Sequence, residues 1–196
     1  MTPHFPLFAD LRGRAVLLVG AGHVAARKAE ALLHAGARLR VVARDLSAPF
    51  QDWLAAGQME HIGADFAPAQ LDGVFLVVAA TDDHALNTQV FQAAEAAGKL
   101  CNVVDSPALC SYIVPAVIDR APLQIAISSA GTAPVLARHW RQRIETLIPA
   151  HTGKLAEIAG RCRALVKRKL PAAARRAFWE KLFASRFDTL VALSLI

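Results

Sequence analysis

The sequence predicts an α/β fold: a doubly wound parallel sheet, followed by a short β-rich segment and a small helical C-terminal part. Three observations carry this. Over the first hundred residues, apolar runs of strand length alternate with helix-length amphipathic stretches, the rhythm of βαβ units. A Gly-x-Gly-x-x-Ala turn joins the first such run to the first helix. After Asp105 the alternation stops, and from Thr132 onward the apolar residues recur at helical spacing.

Taken in order, "AVLLVG" (15–20) is a continuous apolar run closed by glycine, as a strand buried on both faces would be. "HVAARKAEALLHAG" (23–36) follows with Val24, Ala31, Leu32 and Ala35 at helical spacing and Gly36 as its stop. "RLRVVAR" (38–44) is a second strand, and Ser47 is placed to cap a helix through Trp53 and Leu54 to Gly57. "MEHIGADF" reads as the third strand, "VFLVVAAT" (74–81) as the fourth, "DHALNTQVFQAAEAAG" (83–98) as a helix and "LCNVVD" (100–105) as the fifth strand. "SYIVPAVIDR" (111–120) and "PLQIAISSAG" (122–131) read either as a hairpin-like pair or as an extension of the sheet at its edge. Pro115 and Pro122 argue against a central strand. Val135, Leu136, Trp140, Ile144, Leu147 and Ile148 form one helical stripe, and Leu155, Ile158, Cys162, Leu165 and Val166 another. Pro149 and Pro171 separate the helices, and the stretch 175–196 supplies at least one more.

The glycine turn, Gly20-Ala21-Gly22-His23-Val24-Ala25, has a physical task at each small residue. Gly20 lets the chain leave the strand in a tight turn, Gly22 lets the backbone approach a pyrophosphate, and Ala25 lets the helix sit close to the strand. The first N–H groups of the helix, from His23 and Val24 onward, lack intrahelical partners and attract an anion. With a strand before, a helix after and a second strand about 20 residues on, the turn predicts a Rossmann-like dinucleotide site. The end of the second strand, Ala43-Arg44-Asp45, should meet the adenosine ribose. Arg44 suits a 2′-phosphate and Asp45 a ribose hydroxyl, so NAD against NADP stays open. Thr81, at the end of the fourth strand, is the natural contact on the nicotinamide side.

Asp105 ends the fifth strand, and in open α/β sheets ligands lie beyond the carboxyl ends of the strands. A carboxylate there is placed to move a proton. Asp82 and Asp83 directly precede a helix and read as caps. The seven histidines form no HxxH or HExxH pair, so no metal cage is expected.

Composition narrows the rest. The 196 residues are 55% apolar and 19% charged, which fits a packed core. No apolar stretch of ~18 residues free of charge reads as a transmembrane helix, and the N-terminus lacks the plan of a secretory signal. Cys101, Cys110 and Cys162 are few, odd in number and not in CxxC spacing, which argues against a disulfide framework or a zinc site and for a reducing cytoplasmic setting. Residues 1–100 carry eight basic and ten acidic side chains, whereas 101–196 carry fourteen and six. That positive half suits a polyanionic ligand, or is simply a set of solvated helix faces. No recognition-helix pattern or stacking aromatics point to nucleic acid.

The residues that carry a family likeness are "PLFADLRGRAVLLVGAGHVAARKAEALLHAGARLRVVA", "VVAATDDHALN", "CNVVDSP", "SYIVPAVIDRAPLQIAISSAGTAPVLAR" and "FWEKLF". On these the chain resembles the dehydrogenase–ferrochelatase module of siroheme synthase, the block from Asn102 to Arg138 being the specific part. The resemblance implies an NAD-binding domain over 1–112, a dimerisation or central segment over 113–149 and a helical C-terminal domain over 150–196, assembled as a homodimer. It implies NAD-dependent oxidation of precorrin-2 to sirohydrochlorin, then Fe²⁺ insertion to give siroheme. Gly22 and His23 match the family's cofactor turn, Ala43 and Arg44 its adenosine contacts, Asp105 the acid proposed to act in both reactions, and Ser128 a serine at the tetrapyrrole site. Such a substrate carries eight carboxylates, so Arg120, Arg138 and Arg141, with Thr132 beside Ser128, are candidate substrate contacts. The alternatives are a dehydrogenase without chelatase activity and a non-catalytic NAD-binding regulatory module. Many family members continue into a uroporphyrinogen methyltransferase domain, and this sequence stops before one, as a stand-alone form or as part of a longer chain.

Overall fold

The computed structural model describes residues 4–184, in two compact units that meet in sequence at Ile113 and Val114. The first unit is the expected α/β domain. Five parallel strands, β1 (Ala15–Val19), β2 (Arg38–Val42), β3 (Met59–Gly63), β4 (Val74–Ala79) and β5 (Leu100–Val103), lie in the order β3-β2-β1-β4-β5. The order reverses between β1 and β4, which opens a crevice at their carboxyl ends.

Side chains of a strand alternate between faces, and here each face has its own core. Val16 and Leu18 join Leu39, Val41 and Leu76 under helices α1 (His23–His34) and α2 (Ala48–Ala55). Leu17 and Val19 join Val77, Ala79 and Val103 under α3 (His84–Ala96), through Val90 and Ala94. Burial on both faces is why β1 and β4 are apolar throughout rather than alternating.

The buried face of α1 differs from the expected stripe. Ala25, Ala26 and Ala29 are buried, while Val24 and Ala31 face solvent and Leu32 is half-buried. A helix pressed close to a sheet selects its smallest residues for the contact, and apolar periodicity by itself does not show which face that is. Ser47 precedes α2 as expected but does not cap it. Its hydroxyl instead donates to the Ala21 carbonyl at 2.7 Å. The strands also end earlier than the apolar runs: β4 stops at Ala79 and β5 at Val103.

The second unit begins with an antiparallel hairpin, β6 (Ala116–Arg120) and β7 (Leu123–Ile127), in its own two-stranded sheet. Of the two readings of 111–131, the hairpin is the one adopted. Three helices follow: α4 (Pro134–Glu145), α5 (Thr152–Lys169) and α6 (Ala172–Phe183). The remainder of the expected last helix, 185–196, lies outside the described residues. Gly153 at the start of α5 lies so close to the Arg120 and Ala121 carbonyl oxygens that a Cβ has no room. Arg175 donates to the Leu170 carbonyl at 3.0 Å and to that of Lys167 at 2.9 Å, which serves the open end of α5. Of the two helical stripes, only Leu155 and Val166 are fully buried, whereas Val135 and Leu147 are 70% and 75% exposed.

Candidate functional site

Four hydrogen bonds between chain segments bring five strand ends to one edge of the sheet. Gly20 N–H donates to the Val42 carbonyl at 2.8 Å, Ala80 N–H to Val19 at 2.8 Å, Val104 N–H to Ala79 at 2.9 Å and Ala43 N–H to Gly63 at 3.0 Å. The glycine turn, the Arg44 loop, Thr81 and Asp105 therefore follow neighbouring strands at the same carboxyl edge.

The turn itself answers to its neighbours. Gly20 has φ +105°, and a Cβ there would collide with the Ala80 carbonyl and stand 3.1 Å from Thr81 Cγ2. Only glycine satisfies both demands. Gly22 is extended and is the N-cap of α1, but it brings no capping side chain, and a Cβ on it would meet nothing within 4 Å. The space beside Gly22 at the start of α1 is thus open, and no acidic residue occupies the first turn of the helix. A phosphate fits such a helix start. Ala21 is held from behind, its carbonyl accepting from both Ser47 Oγ and Ser47 N–H. His23 and Val24 are exposed at the helix start.

On the adenosine side Ala43 is buried and His61 Nε2 lies 2.9 Å from its carbonyl oxygen. Arg44 is exposed, and its guanidinium is engaged by Asp65, with Nη2 2.7 Å from Oδ1. Thr81 is tied to the buried Asn87: its hydroxyl lies 2.8 Å from Asn87 Oδ1, and Asn87 Nδ2 donates to the Thr81 carbonyl at 2.8 Å. Asp83 caps α3 by accepting from Leu86 N–H at 3.0 Å.

Asp105 is exposed and sits in the left-handed region, φ +58°, two residues beyond β5. The segment after it folds back on the strand. Ser111 N–H donates to the Cys101 carbonyl at 2.9 Å, and Cys101 N–H donates to Ser111 Oγ at 2.8 Å. Asn102 Nδ2 donates to the Tyr112 carbonyl at 3.0 Å and lies 3.4 Å from Cys110 Sγ, whose own thiol reaches the Val103 carbonyl at 3.2 Å. Burial pushes the Cys101 thiol up to about 12 and raises Cys110 and Tyr112 as well, so this closure is uncharged at neutral pH. Asp105 is thus the apex of a loop stitched shut at its base.

The remaining candidates lie in the second unit. Ser128 Oγ accepts from Ala130 N–H, and Ser129 Oγ from Ala133 N–H, both at 3.0 Å. Thr132 closes the same turn through its N–H to the Ser129 carbonyl. This turn precedes α4 and leaves Ser128 and Thr132 exposed. Arg120 is occupied, donating to the Ile148 carbonyl and approaching Glu145 at 3.4 Å; Arg141 holds the other Glu145 oxygen at 2.7 Å. Arg138 is exposed and has no ion pair among the described residues. Among those residues no group of His, Cys, Asp and Glu is arranged to hold a metal.

Sequence reasoning missed Ser47 as a tie, Asp65, Asn87 and Asn102. Asn102 shows only as a lone polar residue inside an apolar run, and Asn87, followed by Thr88 and Gln89, reads as part of a polar helix face.

Fold and turn together define a dinucleotide-binding protein of the Rossmann-like class. The comparisons agree. Residues 7–116 match the model of a putative NAD(P)-binding family, 120–147 that of the sirohaem biosynthesis protein central region, and 151–193 that of the sirohaem synthase dimerisation region. The chain belongs to this NAD(P)-binding family. It is 54% identical over 96% of its length to siroheme synthase 1 of Serratia proteamaculans and 52% identical over 96% to siroheme synthase of Photorhabdus laumondii. It spans 40% of the length of each. A solved precorrin-2 dehydrogenase, SirC, superposes with a TM-score of 0.78 at 26% identity, over 94% of this chain and 92% of that one.

Proposed function

We propose that this chain oxidises precorrin-2 to sirohydrochlorin with NAD⁺ and then assists Fe²⁺ entry into the product. The observation that carries it is the position of Asp105, an exposed carboxylate on the closed loop two residues past β5, the strand next to the one that borders the glycine turn. The residues fit the cofactor. The start of α1, with Gly22 open before it, would take the pyrophosphate, and Ala43 and Arg44 would border the adenosine. Bound NAD⁺ supplies the hydride acceptor. Gly20, Ala21 and Ser47 orient the turn, and Thr81, fixed by Asn87, borders the nicotinamide half. Asp105 accepts the proton that the macrocycle loses on oxidation. When iron enters, the pyrrole N–H groups must also lose protons, and the same carboxylate is the base.

The substrate's carboxylates fall to the second unit, with Ser128, Thr132 and Arg138 as contacts. Arg120 and Arg141 are held by Glu145 and serve there only if they exchange partners. The second unit, Val114–Ile196, is the dimerising part of a homodimer. Its exposed Val135, Leu136, Trp140 and Leu147 lie on the central segment, and Leu165 and Phe178 on the helices matching the dimerisation region. Three free cysteines suit a reducing cytoplasm, and no helix among the described residues is long and apolar enough to cross a membrane.

The test is anaerobic turnover of precorrin-2 with NAD⁺, followed at the NADH absorbance, in the native chain and in Asp105→Asn. The expected result is a loss of about 100-fold or more in kcat with NAD⁺ affinity unchanged. Full turnover in the variant would remove Asp105 as the base. A second assay follows Fe²⁺-dependent loss of sirohydrochlorin absorbance, and a rate equal to the enzyme-free control would remove the iron step while leaving the oxidation.

A further inference from the structure

The loop after β2 decides what the adenosine end of the site presents to its ligand. It is fastened to the glycine turn at both ends, by Gly20 N–H to the Val42 carbonyl at 2.8 Å and by Ser47 Oγ to the Ala21 carbonyl at 2.7 Å. In a dinucleotide site the residue here faces the 2′ position of the adenosine ribose: an acid suits the free hydroxyl of NAD, an arginine the phosphate of NADP. Arg44 by its identity points to the phosphate. In the folded chain it is already taken. Its Nε donates to Asp65 Oδ1 at 2.9 Å, and its Nη2 lies 2.7 Å from the same oxygen.

Asp65 is not a stray surface acid that happens to be near. It lies just past β3, on a loop that Gln70 secures from both sides: Gln70 Nε2 reaches the Asp65 carbonyl at 3.4 Å, and Gln70 Oε1 accepts from Ala67 N–H at 2.9 Å. Asp45 and Asp83 also act on Arg44 through their charge. A 2′-phosphate would have to take Arg44 from Asp65 and would also feel the negative charge of Asp45 and Asp83. The exposed ion pair contributes little to folding, but like-charge juxtaposition discriminates between ligands regardless of that.

We propose that Asp65 is the specificity-determining residue of the dinucleotide site. By occupying Arg44 it denies the cation to a 2′-phosphate, and the site accepts NAD⁺ in preference to NADP⁺. This rests on the glycine turn binding a dinucleotide, not on the identity of the reaction, so it is testable by binding alone.

The experiment is calorimetric titration of the full chain with NAD⁺ and with NADP⁺, at low and at moderate salt, with no tetrapyrrole present. The native chain should bind NAD⁺ more tightly. Asp65→Asn keeps the shape, removes the charge and frees Arg44. It should tighten NADP⁺ by about tenfold, the scale of one charge-assisted contact, and leave NAD⁺ within about twofold. Adding Arg44→Gln to Asp65→Asn should abolish the gain. The proposal is overturned if Asp65→Asn leaves NADP⁺ binding unchanged, if it tightens both dinucleotides alike, or if the gain survives Arg44→Gln. Native chain that binds neither dinucleotide overturns the reading of the turn itself, and the proposal with it. Binding of both at an unshifted ratio overturns the role of Asp65 alone.

Discussion

Replacing Asn102 by alanine should separate the loop that carries Asp105 from the turn that carries the cofactor. Asn102 is buried, and its amide donates to the Tyr112 carbonyl at 3.0 Å with Cys110 Sγ at 3.4 Å. Without that donor the part-buried Tyr112 carbonyl is left unpaired, which costs about 1–3 kcal/mol. The vacated amide volume adds about 1 kcal/mol. For a domain of this size the sum lowers the melting temperature by roughly 10 °C. NAD⁺ affinity measured by calorimetry should stay within about twofold, because the ties of the glycine turn run to Val42, Ser47 and Ala80 rather than to Asn102. The kcat for NADH formation should fall about 10- to 100-fold, as expected when a proton acceptor loses its placement by about 1 Å. Asn102→Asp should do no better, since an ionised carboxylate has no hydrogen to donate. A variant that melts early yet keeps its kcat would show that the loop closure supports the fold without positioning Asp105. A variant that melts normally would show that the Tyr112 bond contributes nothing.

Four further outcomes are expected. Gly20→Ala combines a left-handed backbone with a collision against the Ala80 carbonyl and should cost about 3 kcal/mol or more in urea unfolding. Gly22→Ala, whose Cβ meets nothing, should unfold as the native chain does but bind NAD⁺ about tenfold more weakly, and equal behaviour of the two variants would contradict the division of labour. Burial raises the Cys101 thiol from 9.0 to about 12, so the folded chain favours its neutral form. That stabilisation is whole below pH 9 and is lost as pH rises toward 12, because the unfolded chain ionises first. Urea midpoints should therefore fall between pH 8 and pH 11, and a thiol reagent at pH 8 should modify the exposed Cys162 but not Cys101 until denaturant is added. A midpoint that climbs with pH would refute the assignment.

The strand cores were legible because burial on both faces leaves no polar residue in "AVLLV" or "VFLVVA". The glycine turn was legible because each of its small residues answers a steric demand. The face of α1 was not, since Val24 and Ala25 both fit a helical stripe and only the distance to the sheet decides between them. Ser47 was misread for a similar reason: a serine before a helix looks the same whether its hydroxyl turns back to cap that helix or reaches Ala21 across the sheet edge. The hairpin at 116–127 stood open between two readings until the register of Ile118 opposite Ile125 settled it.

By itself, then, the sequence determined the α/β class, the strand order of events along the chain and the presence of a dinucleotide turn, since these depend on periodicity and on local sterics that neighbouring residues already contain. It also named Asp105 and Arg44. The tertiary structure decided what surrounds them: Asn102, Cys110 and Ser111 close the loop that carries Asp105, and Asp65, 21 residues from Arg44, lies on its guanidinium. The Arg44–Asp65 pair joins the ends of adjacent strands and the Asp105 closure joins β5 to the segment that folds back on it, and only the folded chain brings these partners within hydrogen-bond reach.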